Sequence, residues 1–209
     1  VTIGVFDPNT QTIVYLKTRG PKDHYLTNVA WSPDEQFIYV AELNREQNHL
    51  QLNRYNATTG DFDKTLFEET DSRYVEPQHP VMFVANHPDR FVWQSRRDGY
   101  NHLYLYDISG KLLKQLTHGE WEVTEVTGFD AKGENLFFES TYPAPMDRHL
   151  FVINLNSGKM QQLTAESGMH SGTISISGQY LLDRFSSNNN PGKIYLINMR
   201  NKKTTLLSA

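Results

Sequence analysis

The sequence has no cysteine in its 209 residues. That absence excludes disulfide bonds, a thiolate nucleophile and any metal site built on cysteine ligands. It leaves the cellular compartment open, because exported proteins can also lack cysteine. Long apolar runs are absent as well. None approaches the ~20 residues that a membrane-spanning helix needs, so we predict no membrane segment in this chain.

The sequence also lacks a strong charge of one sign and the common ligand motifs. Lysine and arginine total 20 against 24 aspartates and glutamates, and this balance does not favour a nucleic-acid or anionic-membrane partner. There is no P-loop, no dinucleotide-binding glycine motif and no G-x-S-x-G motif of a hydrolase serine. The eight histidines never share a ligand spacing on one element. We therefore predict no cofactor, no metal site and no catalytic residue here.

What the sequence does contain is strand-forming segments, clearest in the stretch Asp98–Val123. It begins with an Asp-Gly turn, followed by the alternating, tyrosine-rich run His102–Asp107, which favours a pleated sheet. Ser109 and Gly110 form the next turn, where glycine supplies a positive φ without a Cβ clash. The stretch predicts a β-hairpin with Gly110 in the left-handed region.

This hairpin pattern recurs along the chain. Its first strand carries, in successive copies, Ile3, Leu50, Leu103, Leu150 and Ile194, at spacings of 47, 53, 47 and 44 residues. Another hairpin precedes each of the last four copies, with turns such as Ser32-Pro33-Asp34. Four hairpin-joined strands in every repeat of this length are typical of a β-propeller blade.

The repeats predict an all-β chain that forms a single, partial β-propeller domain. We predict four four-stranded antiparallel blades over 22–69, 70–117, 118–164 and 165–209, with 1–18 supplying the outer two strands of a preceding blade. A β-sandwich would also have short strands, but it would not repeat the same turn chemistry four times. Because Val1 opens directly on a strand-like run, we expect the chain to be a piece of a longer one.

Two sets of polar residues could belong to a site, and each also has a structural explanation. His49, His102 and His149 begin the same strand of successive repeats. Imidazoles that cap loop carbonyls explain this recurrence better than a ring of ligands. Glu68 and Glu69 could clamp an ammonium group by charge-assisted hydrogen bonds, but a solvated strand edge is the simpler account.

Several runs resemble motifs of the dipeptidyl peptidase IV family, and most closely those of its bacterial members. SRRDGYNHLYLYD from Ser95 is similar to S-x-R-D-G-Y-x-H-L-Y, and LTHGEWEV from Leu116 is similar to L-T-x-G-x-W-E-V. DRHLF from Asp147 is similar to the family's E-R-H-L-Y segment. The residues that we predict to be structural in these motifs and turns are Asp98, Gly99, Tyr100, His102, Gly110 and Trp121. We expect Trp121 to be buried between neighbouring blades.

The resemblance implies an eight-bladed propeller joined to an α/β-hydrolase domain with a Ser-Asp-His triad. Such enzymes are serine peptidases that release X-Pro or X-Ala dipeptides from peptide N-termini. Neither the triad nor the family's double-glutamate motif has a counterpart in this sequence. The implied role is therefore a non-catalytic portion that walls and gates the substrate cavity. Its partners would be peptide substrates and the missing hydrolase domain, in a homodimeric parent enzyme exported to the periplasm or cell envelope.

One family loop places substrate-contacting residues after an aromatic-Val pair, and Tyr74-Val75 occupies a similar place here. The next residues, Glu76 and Pro77, depart from the Phe-Arg of animal members. By position, Tyr74, Val75 and Glu76 are the candidate substrate residues.

Two other interpretations stay open from the sequence. A TolB-like propeller that acts as a protein-binding module also carries Ser-Pro-Asp turns such as Ser32-Pro33-Asp34. The propeller of a related acylaminoacyl or prolyl tripeptidyl peptidase would share the architecture. Flanking sequence discriminates them, because a downstream G-x-S-x-G with an upstream paired-glutamate motif supports the dipeptidyl peptidase.

Overall fold

The chain folds into eighteen β-strands without a helix in a computed structural model that describes residues 1–208. The strands are β1 (Gly4–Asp7), β2 (Thr12–Tyr15), β3 (Tyr25–Trp31), β4 (Phe37–Leu43), β5 (His49–Asn56), β6 (Phe62–Thr70), β7 (Met82–Val84), β8 (His87–Ser95), β9 (His102–Asp107), β10 (Leu112–Gln115), β11 (Val123–Phe129), β12 (Asn135–Ser140), β13 (His149–Asn154), β14 (Met160–Gln162), β15 (Met169–Ile174), β16 (Tyr180–Ser187), β17 (Asn190–Asn198) and β18 (Thr204–Ser208).

These strands form four four-stranded sheets and one two-stranded sheet. In each sheet, strands that follow one another in sequence are neighbours, as expected where short turns join antiparallel pairs. We call β3–β6 blade I, β7–β10 blade II, β11–β14 blade III and β15–β18 blade IV, with β1–β2 as the half blade. The predicted all-β propeller architecture is confirmed. The strands fall within the predicted blade ranges, except that β6 extends one residue further, to Thr70.

The chain divides into two compact units. The first consists of Val1–Phe83, Pro88–Gly99 and Leu103–Gln115, and the second consists of Val84–His87, Tyr100–His102 and the chain from Leu116 on. The first unit holds the half blade, blade I and most of blade II. The second holds blades III and IV.

The core of the first unit is aromatic. Tyr39, Phe91 and Trp93 are fully buried. Tyr106 lies between two further rings, with its centroid 5.5 Å from that of Phe91 and 4.5 Å from that of Phe67. Aromatic pairs stabilise a core beyond the area that they bury. The many tyrosines and phenylalanines of the sequence thus serve to pack one sheet of this unit against the next.

In the second unit, blades III and IV meet through aliphatic residues. Leu150, Leu181 and Ile197 form a buried cluster there. Gly172 of β15 lies directly over Leu150 of β13, and a Cβ at Gly172 would lie 2.6 Å from Leu150 Cδ2. A Cβ at this position would push the Leu150 side chain aside, so glycine favours this close packing of the two strands.

The Ser109–Gly110 turn has the predicted geometry. Gly110 has φ +95°. Asp107 Oδ1 accepts the N–H groups of Ser109 at 2.8 Å and Lys111 at 3.1 Å, and these bonds close the turn. A Cβ at Gly110 would also lie 2.1 Å from the backbone oxygen of Leu66. Both the dihedral angle and the close neighbour require glycine here.

Trp121 packs against other rings but is only partly buried. The ring centroid lies 4.9 Å from that of His102 in an edge-on contact and 6.5 Å from that of Phe138 in a stack. Tyr142 lies 5.8 Å away on a third side. The prediction of burial is therefore correct only in part, because the indole lies between His102 of β9 and Phe138 of β12 but remains partly exposed.

We expect Trp121→Ala to lower the free energy of unfolding by about 2 kcal/mol, below the roughly 3–5 kcal/mol typical of a fully buried tryptophan. Trp121→Phe keeps an aromatic stack on Phe138 and should cost less than about 1.5 kcal/mol. Urea denaturation of both variants measures the difference. An unchanged midpoint for the alanine variant, with loss of a bound ligand, would assign the indole to recognition instead.

Candidate functional site

The candidate site is a cavity of about 360 Å³ in the first unit. It lies where the end of β6, the loop that follows β6, and the end of β8 with its turn come together. The lining residues are Glu68, Glu69, Thr70, Asp71, Arg73, Tyr74, Val75, Glu76, Pro77, Gln94, Arg96, Arg97 and Gly99. The structure thus places the three candidate substrate residues Tyr74, Val75 and Glu76 in one cavity. Its volume suits a small ligand or a short peptide segment.

The loop after β6 is held in place by its backbone and by one apolar side chain. The Val75 N–H donates to the Gln47 carbonyl at 2.7 Å, and the Asp71 N–H donates to the Asn48 carbonyl at 3.0 Å. Val75 packs against the aromatic core. Tyr74, its neighbour, is 59% exposed. The loop therefore presents the Tyr74 ring at the cavity from an anchored backbone.

Glu69 at the end of β6 is a buried carboxylate with three donors. Its side chain is only 9% exposed. Oε1 accepts the indole N–H of Trp93 at 2.7 Å and pairs with Arg97, and Oε2 accepts the hydroxyl of Ser95 at 2.8 Å. Because both oxygens already accept, Glu69 organises the wall of the cavity rather than offering a free charge.

Arg97 follows β8 and is fixed from several sides. Its guanidinium lies 4.3 Å from the centre of the Tyr104 ring and donates to the Tyr106 hydroxyl at 2.6 Å. Nε donates to Ser95 Oγ at 3.1 Å. These contacts add to the ion pair of Arg97 with Glu69. Because they fix the planar guanidinium in one orientation, Arg97 is a preorganised donor at the cavity.

The cavity lining mixes both charges. Arg96 Nε lies 3.8 Å from Glu76 Oε2, so an ion pair joins the turn after β8 to the loop after β6. Asp71 and Arg73 add one charge of each sign. Donors, acceptors and an exposed aromatic ring together suit the recognition of a polar chain. The lining contains no serine, cysteine or histidine, so no Ser-His or Cys-His pair is formed among these residues.

Glu68 and Glu69 do not act as a pair. Successive residues of a strand point to opposite faces, and Glu68 has a side chain that is 51% exposed. Hydrogen bonds from Gln51 at 2.9 Å and from His49 at 2.7 Å lower the pKa of Glu68. A solvated edge describes Glu68 but was the wrong prediction for Glu69. Their arrangement does not favour an ammonium clamp.

The recurring histidines have structural partners. His102 Nε2 donates to the Gly119 carbonyl at 2.9 Å, and its Nδ1 lies 3.0 Å from Thr117 Oγ1. This is the carbonyl-capping role predicted from the repeat. His149 has the corresponding contact with a threonine, whereas His49 bonds Glu68 instead.

The remaining motif residues lie around the turn between β8 and β9. Asp98 Oδ2 accepts the side-chain N–H of Gln115 at 2.6 Å. The Gly99 N–H donates to the Arg96 carbonyl at 2.8 Å, and Gly99 lines the cavity. Tyr100 lies at the surface. Asp98 and Gly99 thus shape the turn that carries the two arginines.

Sequence reasoning did not assign Gln94, Arg96 and Arg97 to a site. The two arginines belong to the motif that begins at Ser95, so their positive charges could be recognised from the sequence. What the pattern does not show is that the turn after β8 meets the loop after β6, because that contact joins two blades.

Residues 1–208 lack two further kinds of feature. No three histidine, aspartate or glutamate side chains are grouped so that they could hold a metal ion. No helix in this part of the chain has the length and apolar character needed to cross a membrane.

Comparison with known proteins gives a consistent set of relatives. Residues 1–192 match the family described as Dipeptidyl peptidase IV (DPP IV) N-terminal region. The Probable dipeptidyl-aminopeptidase B of Arthroderma gypseum is 28% identical over 158 residues, which are 69% of this chain and 17% of that protein. Dipeptidyl peptidase 4 of Arthroderma otae is 26% identical over 182 residues, or 83% of this chain and 23% of that protein. The chain spans less than a quarter of these relatives.

Solved structures resemble the chain over nearly its whole length. A Bacteroides ovatus protein assigned as a dipeptidyl aminopeptidase IV has a TM-score of 0.89 and 36% identity, covering 99% of this chain and 32% of that one. Porphyromonas gingivalis dipeptidyl peptidase 4 has a TM-score of 0.86 over 99% of this chain and 29% of that one. Its 23% identity means that this second likeness shows the fold alone.

Proposed function

Because this chain belongs to the dipeptidyl peptidase IV family, within its N-terminal region, we propose that it is the non-catalytic propeller portion of a serine exopeptidase. The parent enzyme would release X-Pro or X-Ala dipeptides from peptide N-termini. Acyl transfer would take place at a Ser-Asp-His triad on an α/β-hydrolase domain outside these residues. The two curated relatives named above, a probable dipeptidyl-aminopeptidase and a dipeptidyl peptidase, support this reaction class.

The observation that carries the proposal is the cavity between the loop after β6 and the turn after β8. An extended peptide offers alternating backbone donors and acceptors along with side chains. Arg96 and Arg97 supply donors, Glu76 supplies acceptors, and the exposed Tyr74 ring supplies apolar surface for a side chain. We assign these four residues to peptide contact in the parent enzyme.

The size of the cavity supports a gating role. A space of about 360 Å³ has room for a short stretch of extended peptide and none for a folded domain. Walls of this kind would admit peptide termini and exclude folded proteins. By family resemblance we also propose an exported, homodimeric parent enzyme.

A protein-binding module of the TolB type is the second candidate. The family match over residues 1–192 favours the peptidase over that module. No feature of residues 1–208 favours acylaminoacyl or prolyl tripeptidyl release over dipeptide release.

The proposal is tested on the full-length natural polypeptide with a Gly-Pro chromogenic substrate. We expect turnover by the full-length protein and none by the 209-residue chain, because its sequence has no G-x-S-x-G motif and no counterpart of the triad. Tyr74→Ala in the full-length protein should raise KM by about tenfold with little change in kcat, the pattern of lost uniform binding. Tyr100→Ala, which removes a surface tyrosine outside the cavity, is the matched control.

The two measurements test the assigned reaction and the assigned binding site separately. A full-length protein without dipeptide release would contradict the assigned reaction. Normal release together with an unchanged KM in Tyr74→Ala would keep the reaction and remove this cavity from substrate binding.

A further inference from the structure

Two buried histidines stack where blade III meets blade IV in the second unit. His149 at the start of β13 is 3% exposed and His170 in β15 is 4% exposed. Their ring centroids lie 5.3 Å apart with an angle of 29° between the planes. Neither histidine lies in the cavity of the first unit, and the proposed peptidase function uses neither of them.

Both ring nitrogens of His170 face atoms that can only accept. Nδ1 lies 2.8 Å from Asp183 Oδ2, and Nε2 lies 2.8 Å from the backbone oxygen of Glu166. A ring with two acceptor partners is satisfied when both nitrogens carry a proton. Burial opposes the charged form, but the hydrogen bonds to Asp183 and to the Glu166 carbonyl outweigh it and raise the pKa of His170.

His149 is satisfied as a neutral ring. Its Nδ1 lies 3.2 Å from Thr164 Oγ1, which also accepts the Leu150 N–H at 3.1 Å. The threonine oxygen can therefore donate its own proton to Nδ1. Asp147 Oδ2 lies 3.7 Å from Nε2, beyond a hydrogen bond. Burial, together with the neighbouring charge of His170, lowers the pKa of His149.

Other charged groups lie near the pair. On blade III, Glu139 accepts the backbone N–H of Gly172 at 3.0 Å, and burial raises the pKa of Glu139. The Arg148 guanidinium donates to the backbone oxygens of Pro145 and Asp147.

The Glu166 carboxylate, in the loop before β15, lies 3.4 Å from the Tyr195 hydroxyl of β17. The buried carboxylate of Asp183 balances one positive charge on the pair. A second positive charge would have only the more distant Asp147 to balance it.

We propose that the His149–His170 pair is an acid-sensitive lock between blades III and IV. The lock is closed when His170 carries one positive charge and His149 is neutral. It opens when His149 also takes up a proton, because two stacked imidazolium rings out of water repel each other. The strand that responds is β15, which carries His170 and is held against β13 by the close approach at Gly172.

The two histidines have opposite pH dependences. Both start from an unfolded pKa near 6.5. The pKa of His149 is lower in the folded chain than in the unfolded chain. The unfolded chain therefore binds more protons in the pH range between these two pKa values. Within that range, stability falls as the pH falls. Since the folded pKa of His170 is higher, its contribution is complete below 6.5 and is lost as the pH rises through the folded value. The contact is therefore most stable near pH 6.5.

The test is amide hydrogen exchange of the 209-residue chain, corrected for the intrinsic effect of pH, at about pH 6.5 and about pH 5. We expect protection in β15 to fall by about tenfold at the lower pH, where protonation of His149 adds a second positive charge to the pair. His149→Gln should keep protection at both pH values. His102→Gln is the matched control, because His102 makes the same threonine contact but faces Trp121 instead of a second histidine. It should retain the acid response.

A second measurement needs no variant. Nitrogen NMR shifts of the wild-type imidazoles should show His170 with two ring protons and His149 with one at about pH 6.5. Neutral His170 at that pH, or equal acid responses in wild type and His149→Gln, would overturn the lock.

Discussion

Gly110→Ala is expected to destabilise the chain far more than Gly99→Ala. The two glycines have almost the same backbone angle, φ +95° and φ +101°. Left-handed strain should therefore cost roughly 1–2 kcal/mol at each position. Only at Gly110 does the added Cβ meet a backbone atom, 2.1 Å from the Leu66 oxygen, whereas nothing lies within 4 Å at Gly99. We expect this overlap to add roughly 1–3 kcal/mol.

Urea denaturation of the two alanine variants measures both costs, and Gly99→Ala reports the dihedral strain alone. Equal losses of unfolding free energy would mean that the turn of blade II moves away from β6 without cost. Gly110→Val, with its β-branched side chain, should be at least as destabilising as the alanine variant.

Glu69→Ala is expected to lower the free energy of unfolding by about 3 kcal/mol, whereas Glu68→Ala should cost less than about 1 kcal/mol. Without the Glu69 carboxylate, the indole N–H of Trp93 loses its acceptor in the cavity wall, and the guanidinium of Arg97 loses its anionic partner. We place the loss at the lower end for a broken buried pair because Arg97 is 31% exposed and can be partly hydrated.

The neighbouring glutamates form a matched comparison, since they differ in burial and not in residue type. Thermal or urea denaturation gives the stability of both variants. In the full-length enzyme, Glu69→Ala should also raise KM, because Arg97 loses the partner that orients it. Equal effects of the two substitutions on stability would contradict the assignment of Glu69 to the cavity wall.

Much of the fold follows from local sequence. The turn at Ser109–Gly110 is specified by residues adjacent in the chain, because glycine tolerates the left-handed angle and Asp107 caps the N–H groups. Hairpins join strands that follow one another, so repeated turn chemistry was enough to predict four-stranded blades. The family motifs from Ser95 and Leu116 were equally local.

Part of the site could also be predicted from sequence. Tyr74, Val75 and Glu76 were candidates because they resemble in position a family loop that follows an aromatic-Val pair, and the structure places all three in the cavity. Arg96 and Arg97 could be read from the sequence, but the sequence did not show that they lie beside these three residues in the fold.

The sequence by itself determined the strand order, the turns and the family motifs, because each depends on contacts between residues close in the chain. Only the tertiary structure decided which of Glu68 and Glu69 is buried, how much of Trp121 is covered, and that His149 meets His170. Those outcomes depend on which sheet packs over a side chain. Period-2 alternation places neighbouring residues on opposite faces of a strand but does not say what covers either face.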